Sequence, residues 1–262
     1  WRIRMKEFIN NLEVCLPGYR VLNREENLNF YRDVLGMKVL HEENAEVFLS
    51  GYEAKQPRLI LEESPGVVPV QGVKKHGRTV IQADEDEIEQ LLARNLDQVT
   101  HLYQVKDSWA FEAVSPESDV FLMVSVNDWS DLTEVAKSEV DFDEGEFTGL
   151  SDFAIKEVQI NIAEKSIISE YEKILGVKAQ GNLLDLAGLH LVFCQNDGPD
   201  LTANMDEKLD LMLLRFQVSP SFDLAQFADD LPDEKLYLDK KAKTLAIDIP
   251  HHMELWFTKQ GL

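Results

Sequence analysis

Toward the C-terminus the run HHMELWF places an imidazole, a carboxylate and an indole at alternate positions, His252, Glu254 and Trp256. In a strand such residues share one face, with Met253, Leu255 and Phe257 on the other. A carboxylate beside an imidazole can move a proton or enter the coordination shell of a divalent metal, with Glu157 as a further carboxylate for such a set. The same spacing suits a solvated outer face with the apolar set buried, and both readings stay open. A second pair, Cys15 and His76, supplies a thiol and an imidazole, the parts of a nucleophile and its base. Cys15 falls in an apolar run, where a packed thiol is the commoner role, and His76 reads as a loop histidine before a strand. Arg20, Lys74, Lys75 and Arg78 bring local positive charge that could meet an acidic ligand. Arg20, Glu157 and Trp256 are the candidate lining of a small-ligand pocket. Hydrolase signatures are missing: there is no His-Glu-x-x-His and no Gly-x-Ser-x-Gly, and neither Cys15 nor Cys194 has the surroundings of a cysteine protease. No cofactor is expected on these residues, with a divalent metal at Glu254 kept as the alternative.

The elements that must position these side chains come in repeats. FYRDVLGMKV and EYEKILGVKA carry the same helix-to-strand junction, an aromatic residue followed by Leu-Gly, one apolar residue and Lys. Around them the chain reads as four units, each a strand, a helix and further strands. The first runs from EVCLPGYRVLN through the helix REENLNFYRDVL to RLILEES, and the second from RTVIQAD through DEDEIEQLLARN, with Asp84 as N-cap, to VFLMVSV. The third contains IKEVQINIA, SIISEYEKIL and LHLVFCQ, and the fourth LDLMLLRFQVS, FDLAQFADDL and HHMELWFTK. Gly36 and Gly176 follow their helices as left-handed C-caps. The pattern predicts an α+β chain of four βαβββ modules paired into two domains with curved mixed sheets. Residues 5–127 and 150–262 are the expected domains, with an acidic linker over 128–149.

Composition bounds the function. With 262 residues the chain is long enough for two cores, and it has no apolar run near the roughly 18 residues of a membrane span. Its 26 basic and 48 acidic residues leave a formal charge of −22, which argues against nucleic acid and anionic membranes as partners. Two cysteines at unrelated spacing make free thiols the expectation. WRIRMKEFI lacks the apolar region of a secretory signal, so Met5 is the expected start and the cytoplasm the expected compartment.

RVLNREENLNFYRDVLGMKVL, with its Phe30-Tyr31 helix and Leu35-Gly36 exit, resembles the opening module of the vicinal oxygen chelate superfamily, which includes glyoxalase I, extradiol dioxygenases and bleomycin-resistance proteins. SPESDVFLMV and IPHHMELWF stand where that superfamily has a turn and its last strand. The resemblance implies a divalent metal held by His, Gln or Glu from first and last strands, with lyase or dioxygenase chemistry. Those places fall near Leu16 and Leu213, between His76 and Arg78, around Lys156–Val158, and at Leu122 and Glu254, so Glu254 alone keeps the superfamily's residue in a last strand. HEENAEVF, LEESPGV, FEAVSPESD, FTGLSDFAIKEV and LYLDKKAKTLAIDIPHHMELWFTK are similar to the CppA family of Gram-positive bacteria. That resemblance implies a proteinase degrading the third complement component, hence a host protein as partner and an extracellular site of action. The residues themselves equally fit a metal-free protein that binds a small ligand or a partner protein. Oligomeric state is left open.

Overall fold

The computed structural model describes residues 8–231, 236–249 and 251–259. Met5, the expected start, lies outside them. The first repeat supplies β1 (Leu12–Val21), α1 (Arg24–Asn29), β2 (Lys38–Glu43), β3 (Glu46–Ser50) and β4 (Leu59–Glu63). After a two-residue strand β5 (Val68–Pro69), the second supplies β6 (His76–Gln82), α2 (Glu85–Asn95), β7 (His101–Val105), β8 (Ser108–Val114) and β9 (Val120–Val124). A short β10 (Thr133–Val135) precedes the third repeat, which holds β11 (Ala154–Ile162), α3 (Ser166–Leu175), β12 (Leu183–Asp185) and β13 (His190–Gln195). The fourth, preceded by β14 (Lys208–Leu209), holds β15 (Leu211–Val218), α4 (Leu224–Asp229), β16 (Leu236–Leu238), β17 (Thr244–Ile249) and β18 (Met253–Lys259). The third repeat is one strand short of the expected pattern. VKAQ, after α3, makes only an isolated bridge from Gln180 to Leu183 around Gly181, whose left-handed φ of 68° turns the chain too tightly for a strand.

Caps mark the helix ends where the residue types place them. Asn23 accepts a bond from the Glu26 N–H at 3.2 Å, and Asp84 accepts one from Asp86 at 3.0 Å. Gly36 and Gly176 have φ of 70° and 68°, the left-handed C-cap conformation that a side chain resists. The first helix departs from the expected regular form. Phe30–Val34 is a π-helical turn, closed by the Leu35 N–H on the Phe30 carbonyl at 3.3 Å.

The chain divides into two compact units that do not follow its halves. One comprises Trp1–Arg20, Val67–Lys75 and Gln159–Leu262, the other Val21–Gly66 and His76–Val158. In the first unit five strands run in the order β16-β17-β18-β15-β1. The opening strand of the first repeat thus pairs with the opening strand of the fourth, antiparallel, with Leu16 opposite Arg215 and Gly18 opposite Leu213. Strands β15 and β18, the first and last of their repeat, are parallel, as are β6 and β9 in the second unit. Such parallel closure needs the long helical crossover that each repeat provides.

One face of the five-stranded run is apolar. Phe8, Phe216, Phe227 and Phe257 form an aromatic cluster there, with Phe227 and Phe257 ring centroids 5.0 Å apart, and Tyr171 of α3 reaches Met253. In the second unit five strands run β10-β7-β8-β9-β6. There Val80, Val105, Ala110, Leu122 and Val124 make an apolar cluster covered by Tyr103, Val126, Trp129 and Leu132. Residues 128–149, expected as a linker, are therefore packed in part, through half-buried side chains in a stretch that has no buried residue. Beyond Trp129 and Leu132, Lys137 donates to the Val99 carbonyl at 2.8 Å, Phe142 meets Trp109, and Arg94 lies over Phe147. The acidic residues dominate the composition of this stretch, but its few aromatic and aliphatic residues decide its structure.

Candidate functional site

Strand pairing in the first unit lines up the side chains of the face opposite the aromatic cluster. Directly opposed residues share a face, so Gly18, Leu213, Glu254 and Asp248 form one row, and Leu16, Arg215, Trp256 and Ala246 form the next. Glu254 and Trp256 are half-buried while Met253, Leu255 and Phe257 are buried, which realises the alternation read from HHMELWF. The indole Nε1–H of Trp256 donates to Glu254 Oε2 at 2.6 Å, and the guanidinium of Arg215 lies 5.0 Å over the indole ring. Arg215 is only 5% exposed. One strand step further, Gln217 holds a buried Oε1 that accepts no hydrogen bond. Gly18 lets Leu213 fill the row, since a Cβ there would stand 2.9 Å from Leu213 Cγ.

This face carries the positions where the superfamily resemblance places a metal, and its donor set does not fit one. Leu16 and Leu213 are apolar and fully enclosed, and the carboxylate of Glu254 is engaged by Trp256. Among the described residues no group of three or more His, Cys, Asp or Glu side chains is arranged to hold a metal ion. In the second unit the equivalent last-strand place is Leu122, inside the apolar cluster under Trp129.

His252 does not join Glu254 and Trp256 on the strand. It ends the β17–β18 turn with a left-handed φ of 55°, its N–H on the Ile249 carbonyl at 2.8 Å, while β18 begins at Met253. Its side chain lines a cleft of about 260 Å³ with Asn204, Met205, Asp206, Asp248, Ile249 and Met253. Behind that turn Lys75 is almost wholly buried, donating from Nζ to the Ala203 carbonyl at 2.6 Å and the His252 carbonyl at 3.1 Å. Burial pushes this ammonium down to about 8, against the pull of Asp210, Asp200 and Glu207. Lys75 thus ties two loops together as a structural cation.

The other candidates are also accounted for. Cys15 points to the aromatic side of the sheet opposite Phe216, and desolvation pushes its thiol far up, which keeps it protonated and unreactive. His76 sits in β6 with both ring nitrogens engaged, Nδ1 with Asp119 Oδ1 and Nε2 with Thr79 Oγ1, each at 2.9 Å. Hydroxyl, imidazole and carboxylate follow in the order of a catalytic triad. The three side chains are closed to solvent, so a peptide cannot reach Thr79, and the array serves to anchor the 115–119 turn to β6. Glu157 lies in the second unit and pairs with Arg78 at 3.2 Å. The backbone N–H of Arg20 donates to the Asp210 carbonyl at 3.0 Å. The residue that sequence reasoning missed is Arg215. Its signal is a lone guanidinium inside LMLLRFQV, a run whose only other polar residue is Gln217, and a buried strand keeps such a charge only with specific partners.

Comparison with known proteins agrees with this architecture. The chain is similar to glyoxalase I from Zea mays, at 15% identity over 97% of this chain and 95% of that one, with a TM-score of 0.58. It therefore has a glyoxalase-like fold, an α+β arrangement of repeated strand-helix-strand modules. Models of the CppA N-terminal and CppA C-terminal domains match residues 14–135 and 150–257, so the chain belongs to the CppA family. It is also similar to the cppA protein of Streptococcus pneumoniae TIGR4, at 29% identity over 95% of this chain and 99% of that one, with a TM-score of 0.78. No curated protein matches the chain. Among the described residues no helix is long and apolar enough to cross a membrane.

Proposed function

We propose that this CppA-family protein uses the Glu254–Trp256–Arg215 face of its first unit to bind a small ligand without a metal and without catalysing its conversion. The observation that carries the reading is the replacement of coordinating side chains by Leu16 and Leu213, with a linked carboxylate, indole and guanidinium beside them. Trp256 and Glu254 are half-buried, so an indole surface and a carboxylate are the groups of this face that a ligand would meet. A thermal-shift screen of small aromatic amides and acids tests it. Compounds that stabilise the wild type should lose that effect in Glu254→Gln and in Trp256→Ala. A screen in which no compound distinguishes these variants from wild type would overturn the reading.

The proteinase activity implied by the family resemblance makes a separate demand, a nucleophile that a polypeptide can reach. Thr79 and Cys15 are both enclosed. Incubation with the third complement component should therefore leave that protein intact. Cleavage that disappears in Glu254→Ala or His76→Ala would replace the binding reading with a hydrolytic one.

A further inference from the structure

In the second unit a cleft of about 360 Å³ opens beside the π-helical turn, lined by Glu26, Asn29, Phe30, Asp33, Gln98, Val114, Ser115 and Pro116. The composition of its walls is amphipathic. Phe30, Val114 and Pro116 give it apolar sides, and Val114 is 36% exposed in the free surface. Glu26 and Asp33 stand on α1 and its continuation, while Ser115, Asn29 and Gln98 supply neutral hydrogen-bonding groups. The Ser115 hydroxyl is held in place, since Ser115 is only 5% exposed and its oxygen accepts from the Asp119 N–H at 3.0 Å. That carboxylate in turn meets His76, so the bottom of the cleft rests on the buried Thr79–His76–Asp119 array and is rigid.

The π turn shapes this cleft. Its wider ring offsets the residues after Phe30 from a regular helix face, and such turns occur often at binding sites. A guanidinium already docks at its rim. Arg32 donates from Nε and Nη2 to the two oxygens of Asp33 at 2.7 and 3.0 Å, and from Nη2 to Asn29 Oδ1 at 2.8 Å. Arg32 and Asp33 are both about half exposed, so this internal pair is weak and exchangeable.

We infer that the cleft is a recognition site for an arginine or lysine side chain presented by a partner peptide. The aliphatic stem lies against Phe30, Val114 and Pro116, and the charged head lies between Glu26 and Asp33, with Arg32 displaced to solvent. A basic side chain is the ligand that satisfies both halves of the lining, because its stem is apolar and its head is cationic. The inference concerns a surface separate from the Trp256 face, and either can fail without the other.

Titration of the ¹⁵N-labelled protein with N-acetyl-arginine amide, followed by amide chemical shifts, tests it. Saturable shifts should appear at residues 26–33 and 114–116 and be absent with the neutral isostere N-acetyl-citrulline amide. The double variant Glu26→Gln/Asp33→Asn should weaken binding by about tenfold or more, and these exposed positions leave the fold intact. Val114→Asp, which adds charge but removes the apolar wall, should also weaken it, which a purely electrostatic surface effect would not produce. No saturable shifts, equal shifts with the citrulline compound, shifts located elsewhere, or undiminished binding by the double variant would each overturn the inference.

Discussion

Of the buried polar residues, His251 has the most direct consequence for stability. It is 2% exposed, its imidazole enclosed beside the Asn161 backbone and the Lys75 ammonium. Desolvation first, and the nearby Lys75 charge second, push its imidazole down to about 3 from the ordinary 6.5, with the Asn161 backbone pulling weakly the other way. As the pH falls below 6.5 the unfolded chain takes up this proton before the folded one, so stability is lost progressively down to about pH 3. At pH 5 this contribution is about 2 kcal/mol. Urea unfolding at pH 7 and pH 5 should show that His251→Leu loses less stability across that interval than wild type. Equal losses would mean that another group dominates the acid limb. The cysteines offer a second check at this scale. Cys15 is buried and Cys194 half-buried, so brief alkylation of the native protein should label Cys194 well before Cys15, and denaturant should make the two equivalent. Rapid native labelling of Cys15 would contradict the packing described for β1.

At the scale of elements, local chemistry was legible where a single residue type governs the backbone. Asp84, Gly36 and Gly176 cap their helices as read from the sequence, and Asn23 caps the first helix, which the sequence reading did not assign. Gly176→Ala should cost about 1 kcal/mol in chemical denaturation, because a side chain there opposes the φ of 68°. A neutral or stabilising effect would show that the C-cap relaxes to another conformation. The π turn at Phe30–Val34 was not legible, since its sequence has the apolar spacing of a regular helix; in the structure Tyr31 of this turn packs against Phe121. The place of His252 was also misread. Strand alternation counts residues without regard to where a hairpin turn ends, and here the turn keeps His252 out of β18. Acidic composition likewise concealed the packing of residues 128–149, because Trp129 and Leu132 are a small part of the stretch yet cover the apolar cluster around Leu122.

At the scale of the molecule, the repeats were legible and their pairing was not. Each repeat displays its own strand and helix periodicity, whereas nothing local in EVCLPGYRVLN specifies β15 as its neighbour. Partner choice for a strand comes from non-local burial, which one sequence does not display. Leu16, Leu213 and Glu254, the places to which the resemblance points, fall on one face of the sheet, where the two leucines offer no donor atom. The same face shows why Arg215 escaped notice, since its importance lies in the cross-strand contact with Trp256 and not in any local motif. Isothermal titration of metal-stripped protein with Mn²⁺, Ni²⁺ and Zn²⁺ tests the metal-free reading most directly. The account predicts no stoichiometric binding dependent on Glu254, and therefore the same titration curves for wild type and Glu254→Gln. One equivalent of tightly bound metal that disappears in Glu254→Gln would contradict it and return this face to coordination chemistry.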